Sequence, residues 1–280
     1  MTVLMDGKKL SEIIREELKI KIQKLSEAKR IKPVLATILV GDDPASATYV
    51  KMKGKACESI GMGSRKVELP SGTSTDSLLK VIDDLNKDET IYGILLQHPV
   101  PEQIDERKCF DRIVSEKDVD GVTSAGFGKL SLGIPCFPAC TPAGMIRLLE
   151  EYQIELAGKH AVVVGRSSIL GKPMAMMLLD KNCTVTVCHS RTKNLSEILH
   201  TADIVVGALG KPEYIKGEWL KEGVVVLDAG YNPGNVGDVH FESASKKASF
   251  ITPVPGGVGP MTITMLLSHT VKAALEKNKV

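Results

Sequence analysis

Short apolar runs rich in valine and isoleucine recur along this 280-residue chain, separated by stretches of helical periodicity. The runs are PVLATILVG, YGILLQ, KHAVVVG, CTVTVCH, DIVVGALG and GVVVLDAG. A strand that is apolar on both faces must be covered on both, and a helix between consecutive strands supplies that cover. The alternation therefore predicts an α/β fold with mostly parallel sheets. A chain of 280 residues is long for one core, so two domains are expected. Helices are predicted over 8–29, where Leu10, Ile13, Ile14, Leu18 and Leu25 recur at helical spacing, and over 44–60, opened by Asp43 and Pro44. Further helices are predicted over 74–86, 171–181, 195–202 and 261–277, and a helix from Thr141 to Tyr152 is the candidate domain connector. Residues 98–140 are rich in Pro, Gly and Asp and read as irregular, which at this length points to function.

Composition removes several classes of function. The formal charge is +2 and no basic block stands out, so nucleic acid is not an expected partner. Aromatic residues make up 4%, too few for a base-stacking surface. No apolar run reaches the length of a membrane span, and the N-terminus lacks the basic-then-apolar layout of a signal peptide, so no membrane is expected and cytoplasm is the default. Cys57, Cys109, Cys136, Cys140, Cys183 and Cys188 form no C-x-x-C pair. They read as small buried hydrophobes, with no metal site expected.

The segment AVVVGRSSILGKP carries the main chemical signal. A buried strand ends at Gly165, a polar turn follows, and Gly171-Lys172-Pro173 opens a helix. A helix N-terminus offers N–H groups and a positive dipole end to a pyrophosphate. Gly165 permits the tight turn and Gly171 a close backbone approach. The spacing is not G-x-G-x-x-G, so the segment alone is either a dinucleotide site or a plain strand-to-helix turn. The next strand runs into His189-Ser190-Arg191 with no carboxylate for a ribose hydroxyl, which favours NADP over NAD. Arg166 lies in the first loop and is the better candidate for the 2′-phosphate. Arg191 is either a second contact or a solvated loop charge.

Other candidates lie in the first half. Ser46, Tyr49 and Lys53 share one face of the 44–60 helix, whereas Lys51 and Lys55 point elsewhere. Lys53 is either an acid/base facing a cleft or a surface lysine with its stem on apolar residues. Gln97 immediately follows a buried strand, where ligands of open α/β sheets gather. Asp118-Val119-Asp120-Gly121 is either a structural turn or a source of a ligand carboxylate. PGGVGP at 255–260 is either a plain loop or a backbone surface for a flat ligand.

Taken together, these pieces resemble one family across essentially the whole chain. The segments are Tyr49-Val-Lys-Met-Lys53, Gln97-His-Pro99, Lys117-Asp-Val-Asp-Gly121, Cys140-Thr-Pro142, Gly165-Arg-Ser167, Gly171-Lys-Pro173, Cys188-His-Ser190 and Pro255-Gly-Gly-Val-Gly-Pro-Met-Thr262. In this order and spacing they resemble the bifunctional methylenetetrahydrofolate dehydrogenase/methenyltetrahydrofolate cyclohydrolases. The resemblance implies an N-terminal α/β folate-binding catalytic domain, residues 1–140, with the closing helix 261–280 packing back onto it. It implies a Rossmann-like NADP-binding domain over 141–260, a cleft between the two, and a homodimer formed through the cofactor domains. It implies oxidation of 5,10-methylenetetrahydrofolate with NADP, then hydrolysis of the methenyl form to 10-formyltetrahydrofolate. Lys53 would manage protons in the hydrolytic step, Gln97 would hold and tune it, Tyr49 would shape the pocket, and Asp120 would anchor the pterin. Pro255, Gly256, Gly257, Val258 and Gly259 would line the folate. Gly165, Arg166, Ser167, Ser190 and Tyr231 would contact NADP.

The chain departs from the commoner family pattern at four places. His98 stands where leucine is frequent, Gly126 where asparagine is common, Ala139 where proline is frequent, and Tyr231 where a smaller aliphatic residue is usual. None belongs to the Lys53, Gln97 and Asp120 set. They bear on the balance of the two activities and on cofactor preference.

Overall fold

The structure, a computed structural model, describes residues 2–279. Residues 1 and 280, which the sequence reading placed in the first domain and the closing helix, lie outside the described residues. In chain order the elements begin β1 (Val3–Leu4), α1 (Gly7–Lys29), β2 (Val34–Val40), α2 (Pro44–Ser59), β3 (Gly63–Leu69), α3 (Thr75–Lys87) and β4 (Ile91–Leu96). They continue with α4 (Glu106–Phe110), α5 (Ser124–Ser131), α6 (Cys140–Glu151), β5 (His160–Val164), α7 (Gly171–Asp180) and β6 (Thr184–Cys188). The remainder are α8 (Leu195–His200), β7 (Ile204–Gly207), β8 (Val225–Asp228), α9 (Phe241–Ser245), β9 (Phe250–Ile251) and α10 (Val258–Asn278). Every strand pair is parallel, as the doubly apolar runs require.

The chain divides into two compact units. The first comprises Ile13–Pro138 with Ile263–Val280, and the second Met1–Glu12 with Ala139–Thr262. In the first unit a three-stranded sheet runs in the order β3-β2-β4. Leu35, Ala36 and Ile38 of the central strand are completely buried, as is Ile94 beside them. Helix α2 starts where the sequence places it: Pro44 presets the first turn, and the Asp43 carboxylate accepts the Ser46 N–H at 2.7 Å. Helix α3 is capped in the same way by Ser74, whose hydroxyl accepts the Ser77 N–H at 3.2 Å. Arg15 of α1 donates to the Thr264 hydroxyl of α10 at 3.0 Å.

In the second unit six strands run in the order β1-β9-β8-β7-β5-β6. From β5 the chain steps outward to β6, then crosses back to β7 on the other side of β5. The strand order therefore reverses between β5 and β7, and ligands of such sheets bind beyond the carboxyl ends at that switch point. Val162, Val205, Ile215, Val224 and Val226 are completely buried in one core cluster.

Two expectations are corrected. The first residues do not group with the unit formed by Ile13–Pro138, because Val3 and Leu4 pair with Phe250 and Ile251 at the edge of the six-stranded sheet. The stretch 98–140 is not wholly irregular, since it contains α4 and α5. Helix α4 has five residues, too few to show a period, and is held by buried Cys109 and Phe110. Helix α5 carries two glycines in eight residues and is started by Thr123, whose hydroxyl accepts the Gly126 N–H at 2.9 Å. No helix among the described residues is long and apolar enough to cross a membrane.

Candidate active site

In the first unit, Gln97 leaves the end of β4 and is 8% exposed. Its backbone N–H donates to Ile38 O at 2.9 Å, extending the β2–β4 ladder by one bond. This holds the side chain at the carboxyl end of the sheet. There Lys53 Nζ, reaching from α2, donates to Gln97 Oε1 at 2.9 Å. The other end of the amide donates from Nε2 to His98 O at 2.7 Å. Tyr49 lies one turn before Lys53 on α2 and is 38% exposed. Ser46, on the same face, is buried, whereas Lys51 and Lys55 are exposed. Of the residues on that face, Lys53 is the one whose bond to Gln97 ties α2 to the end of β4.

The acidic turn separates its two carboxylates by role. Asp118 is buried and accepts the Val122 N–H at 3.0 Å and the Thr123 N–H at 3.1 Å. Burial pushes its carboxyl above the usual carboxylate range, although the Thr123 and Val122 hydrogen bonds oppose that shift. Asp118 is therefore the structural member. Asp120, two residues on, is half-buried. Gly126 sits over Asp118: a Cβ there would lie 3.0 Å from both Asp118 Oδ2 and Thr123 Oγ1. The absence of a side chain at this departure matches that crowding. Lys117 is buried, and its Nζ donates to the carbonyls of Leu85, Asn86 and Asp88 at 2.9, 2.7 and 2.8 Å.

In the second unit the candidates leave the carboxyl ends of parallel strands. Gly165 follows β5, Ser190 follows β6, Tyr231 follows β8, and Pro255 to Gly259 follow β9 and enter α10. Gly165 has φ 136°, and a Cβ on it would lie 1.9 Å from Ala208 O, beyond the end of β7. Gly165 thus occupies the switch point itself. A Cβ on Gly171 would lie 2.3 Å from Gly165 O, so the start of α7 closes directly onto the strand end. The Ser167 hydroxyl accepts the Gly171 N–H at 3.2 Å. Arg166, Ser167, Ser190 and Arg191 are exposed there. A glycine-lined strand end, a helix N-terminus, two hydroxyls and two guanidinium groups suit a phosphorylated dinucleotide. Tyr231 is 61% exposed and its hydroxyl donates to Asn235 Oδ1 at 2.8 Å.

Two buried carboxylates behind these loops escaped the sequence reading. Asp228, the last residue of β8, accepts the N–H groups of Gly230, Asp238 and Val239, each at 2.9 Å. Burial pushes its carboxyl up to about 6, against backbone hydrogen bonds that lower it. Asp238, completely buried, accepts the N–H groups of Leu209, Gly210 and Lys211 at 2.7, 2.9 and 2.9 Å. Together they lash the loop after β7 to the loop after β8. An aspartate ending the apolar run GVVVLD was the available signal, because a carboxylate in such a run needs partners. Five of the six cysteines are buried and Cys136 is half-buried, and burial pushes the Cys57 thiol up to about 12. No cluster of three metal-ligating side chains occurs among the described residues.

Parallel sheets with a glycine-lined switch point in one unit, and a lysine–amide pair at a sheet end in the other, define a nucleotide-dependent α/β enzyme. A family model described as the tetrahydrofolate dehydrogenase/cyclohydrolase catalytic domain matches residues 5–120, and the NAD(P)-binding domain of the same family matches residues 139–278. The chain belongs to the tetrahydrofolate dehydrogenase/cyclohydrolase family. It is 58% identical over 272 residues to the bifunctional protein FolD of Shouchella clausii, covering 97% of each chain. The crystal structure of the bifunctional FolD methylenetetrahydrofolate dehydrogenase/cyclohydrolase of Campylobacter jejuni superposes with a TM-score of 0.97 at 49% identity, covering 100% of both chains. The dehydrogenase-cyclohydrolase of Trypanosoma brucei, solved with NADP and an inhibitor, gives a TM-score of 0.96 at 35% identity, covering 100% of this chain and 99% of that one.

Proposed function

We propose that this chain oxidises 5,10-methylenetetrahydrofolate to the methenyl form with NADP and hydrolyses that form to 10-formyltetrahydrofolate, with Lys53 as the proton-handling group of the second step. The observation that carries the residue assignment is the 2.9 Å bond from Lys53 Nζ to Gln97 Oε1, in a chain of this family. NADP supplies the hydride acceptor for the first step. That step asks little acid/base help, because the folate nitrogens stabilise the developing cation, and positioning is the main demand. Arg166, Ser167 and Ser190 hold the phosphates, Gly165 lets them approach the strand end, and Tyr231 flanks the site. Asp120 accepts two N–H bonds from the pterin's amino-pyrimidine, and residues 255–259 line the folate.

The second step is proton work. Water adds to the bridging methenyl carbon and loses a proton. The bond from that carbon to N5 then breaks as the added hydroxyl gives up its proton and N5 gains one, with one proton released overall. Lys53, held by Gln97 beside Tyr49, takes and returns these protons. Pairing of two copies through the second unit belongs to this reading, supported by exposed Leu179 on α7 and Val187 on edge strand β6, and sedimentation tests it. A cytoplasmic location belongs to it as well.

Lys53→Met is the decisive variant. We expect loss of methenyl hydrolysis by at least about 100-fold, with NADP-linked oxidation reduced by less than about tenfold. Equal loss of both activities in a folded variant refutes the division of labour.

A further inference from the structure

We infer that the pair formed by His98 and Glu106 positions the Gln97 amide, and through it Lys53, for the hydrolytic step. This rests on the assignment of that step to Lys53 and Gln97. A glutamine amide can turn either end toward a lysine, but only its oxygen accepts from Nζ. The choice is made at the far end, where Gln97 Nε2 donates to His98 O at 2.7 Å. With the amide turned over, donor would face donor at Lys53 and acceptor would face acceptor at His98. The orientation that serves Lys53 is therefore set by where the backbone of residue 98 sits.

The sheet gives that residue little support. The last bond to β2 is made by the Gln97 N–H, and the His98 side chain is half exposed. The anchor is the imidazole, whose Nδ1 lies 2.5 Å from Glu106 Oε1. A carboxylate only accepts, so Nδ1 carries the donated proton. Glu106 stands in the first turn of α4, which is fixed by the Asp105 cap on the Lys108 N–H at 3.0 Å and by buried Cys109 and Phe110. A continuous path thus runs from α4 through Glu106, His98 and Gln97 to Lys53, all within the first unit. A leucine at position 98, the frequent residue of the family, has no atom to make the link to Glu106. His98 is a positioning residue: it acts through Gln97.

The test measures methenyl hydrolysis and NADP-linked oxidation, each resolved into kcat and KM, in His98→Leu, Glu106→Ala, the double variant and His98→Asn, beside Lys53→Met. An exposed pair contributes a fraction of a kcal/mol, so each of the first two should lower hydrolytic kcat about threefold while KM and oxidation hold steady. The double variant should be no worse than either single one, because one link is being cut. Asparagine keeps a donor at the Nδ1 position and should restore hydrolysis. Full hydrolytic kcat in His98→Leu, a parallel fall of both activities, or no rescue by asparagine overturns the inference. Hydrolysis surviving in Lys53→Met would instead overturn the assignment beneath it.

Discussion

An α-carbon without a side chain stands where β5 ends, and it decides what the switch point can admit. The 1.9 Å approach of a Cβ at Gly165 to Ala208 O, at φ 136°, leaves no room for relaxation by a flexible side chain, since the obstacle is backbone. Gly165→Ala should cost about 3 kcal/mol of stability and weaken NADP binding at least about tenfold. Thermal denaturation and a cofactor titration check this, and an alanine variant with unchanged NADP affinity would contradict the placement. At the same scale the sequence was informative in unequal measure. The shared face of Tyr49 and Lys53 followed from helical spacing, and Gln97 from its place after a buried strand. That Lys53 meets Gln97 across 44 positions of sequence was implied by the family resemblance alone and by no local pattern, because the meeting is made by the β2–β4 pairing.

Among the elements, α3 shows how a functional-looking motif does structural work. Its C-terminus leaves carbonyl oxygens without helical partners, and the Lys117 ammonium accepts that task, donating to the carbonyls of Leu85, Asn86 and Asp88. Burial pulls the Lys117 pKa below its ordinary value, with the Lys277 charge adding to the shift, yet three charge-assisted hydrogen bonds hold the ammonium in place. Lys117→Met should therefore destabilise the first unit by about 2–3 kcal/mol while leaving NADP binding by the second unit unchanged. Urea unfolding of the variant measures the loss, and a cost below about 0.5 kcal/mol would show that water replaces the cap. In the sequence Lys117 opens one of the segments that carry the family resemblance, which implies no role for it. Its partners lie at the end of another helix, and no local pattern announces them.

For the whole molecule, a buried histidine gives stability a pH dependence. His269 of α10 is buried, with Nδ1 2.9 Å from Val119 O, and burial lowers its pKa from 6.5 to about 4. Between pH 4 and 6.5 the unfolded chain binds a proton at this position and the folded chain does not. Stability from this group therefore rises with pH through that window, is complete above it, and is lost as pH falls toward 4. Moving from pH 7 to pH 5 should cost the parent protein about 2 kcal/mol more than His269→Asn, which retains a donor but does not titrate. Equal losses in denaturant unfolding at the two pH values would exclude the histidine as the cause. The sequence by itself determined the α/β class, the parallel pairing and the family, because these rest on hydrophobic periodicity and on motifs local in sequence. Only the tertiary structure decided which aspartate of the acidic turn is structural, that Asp228 and Asp238 lash the loops after β7 and β8, and that the first strand joins the six-stranded sheet. Those outcomes depend on hydrogen bonds and strand pairing between distant segments, where a polar group's role is set by the partner that folding brings to it.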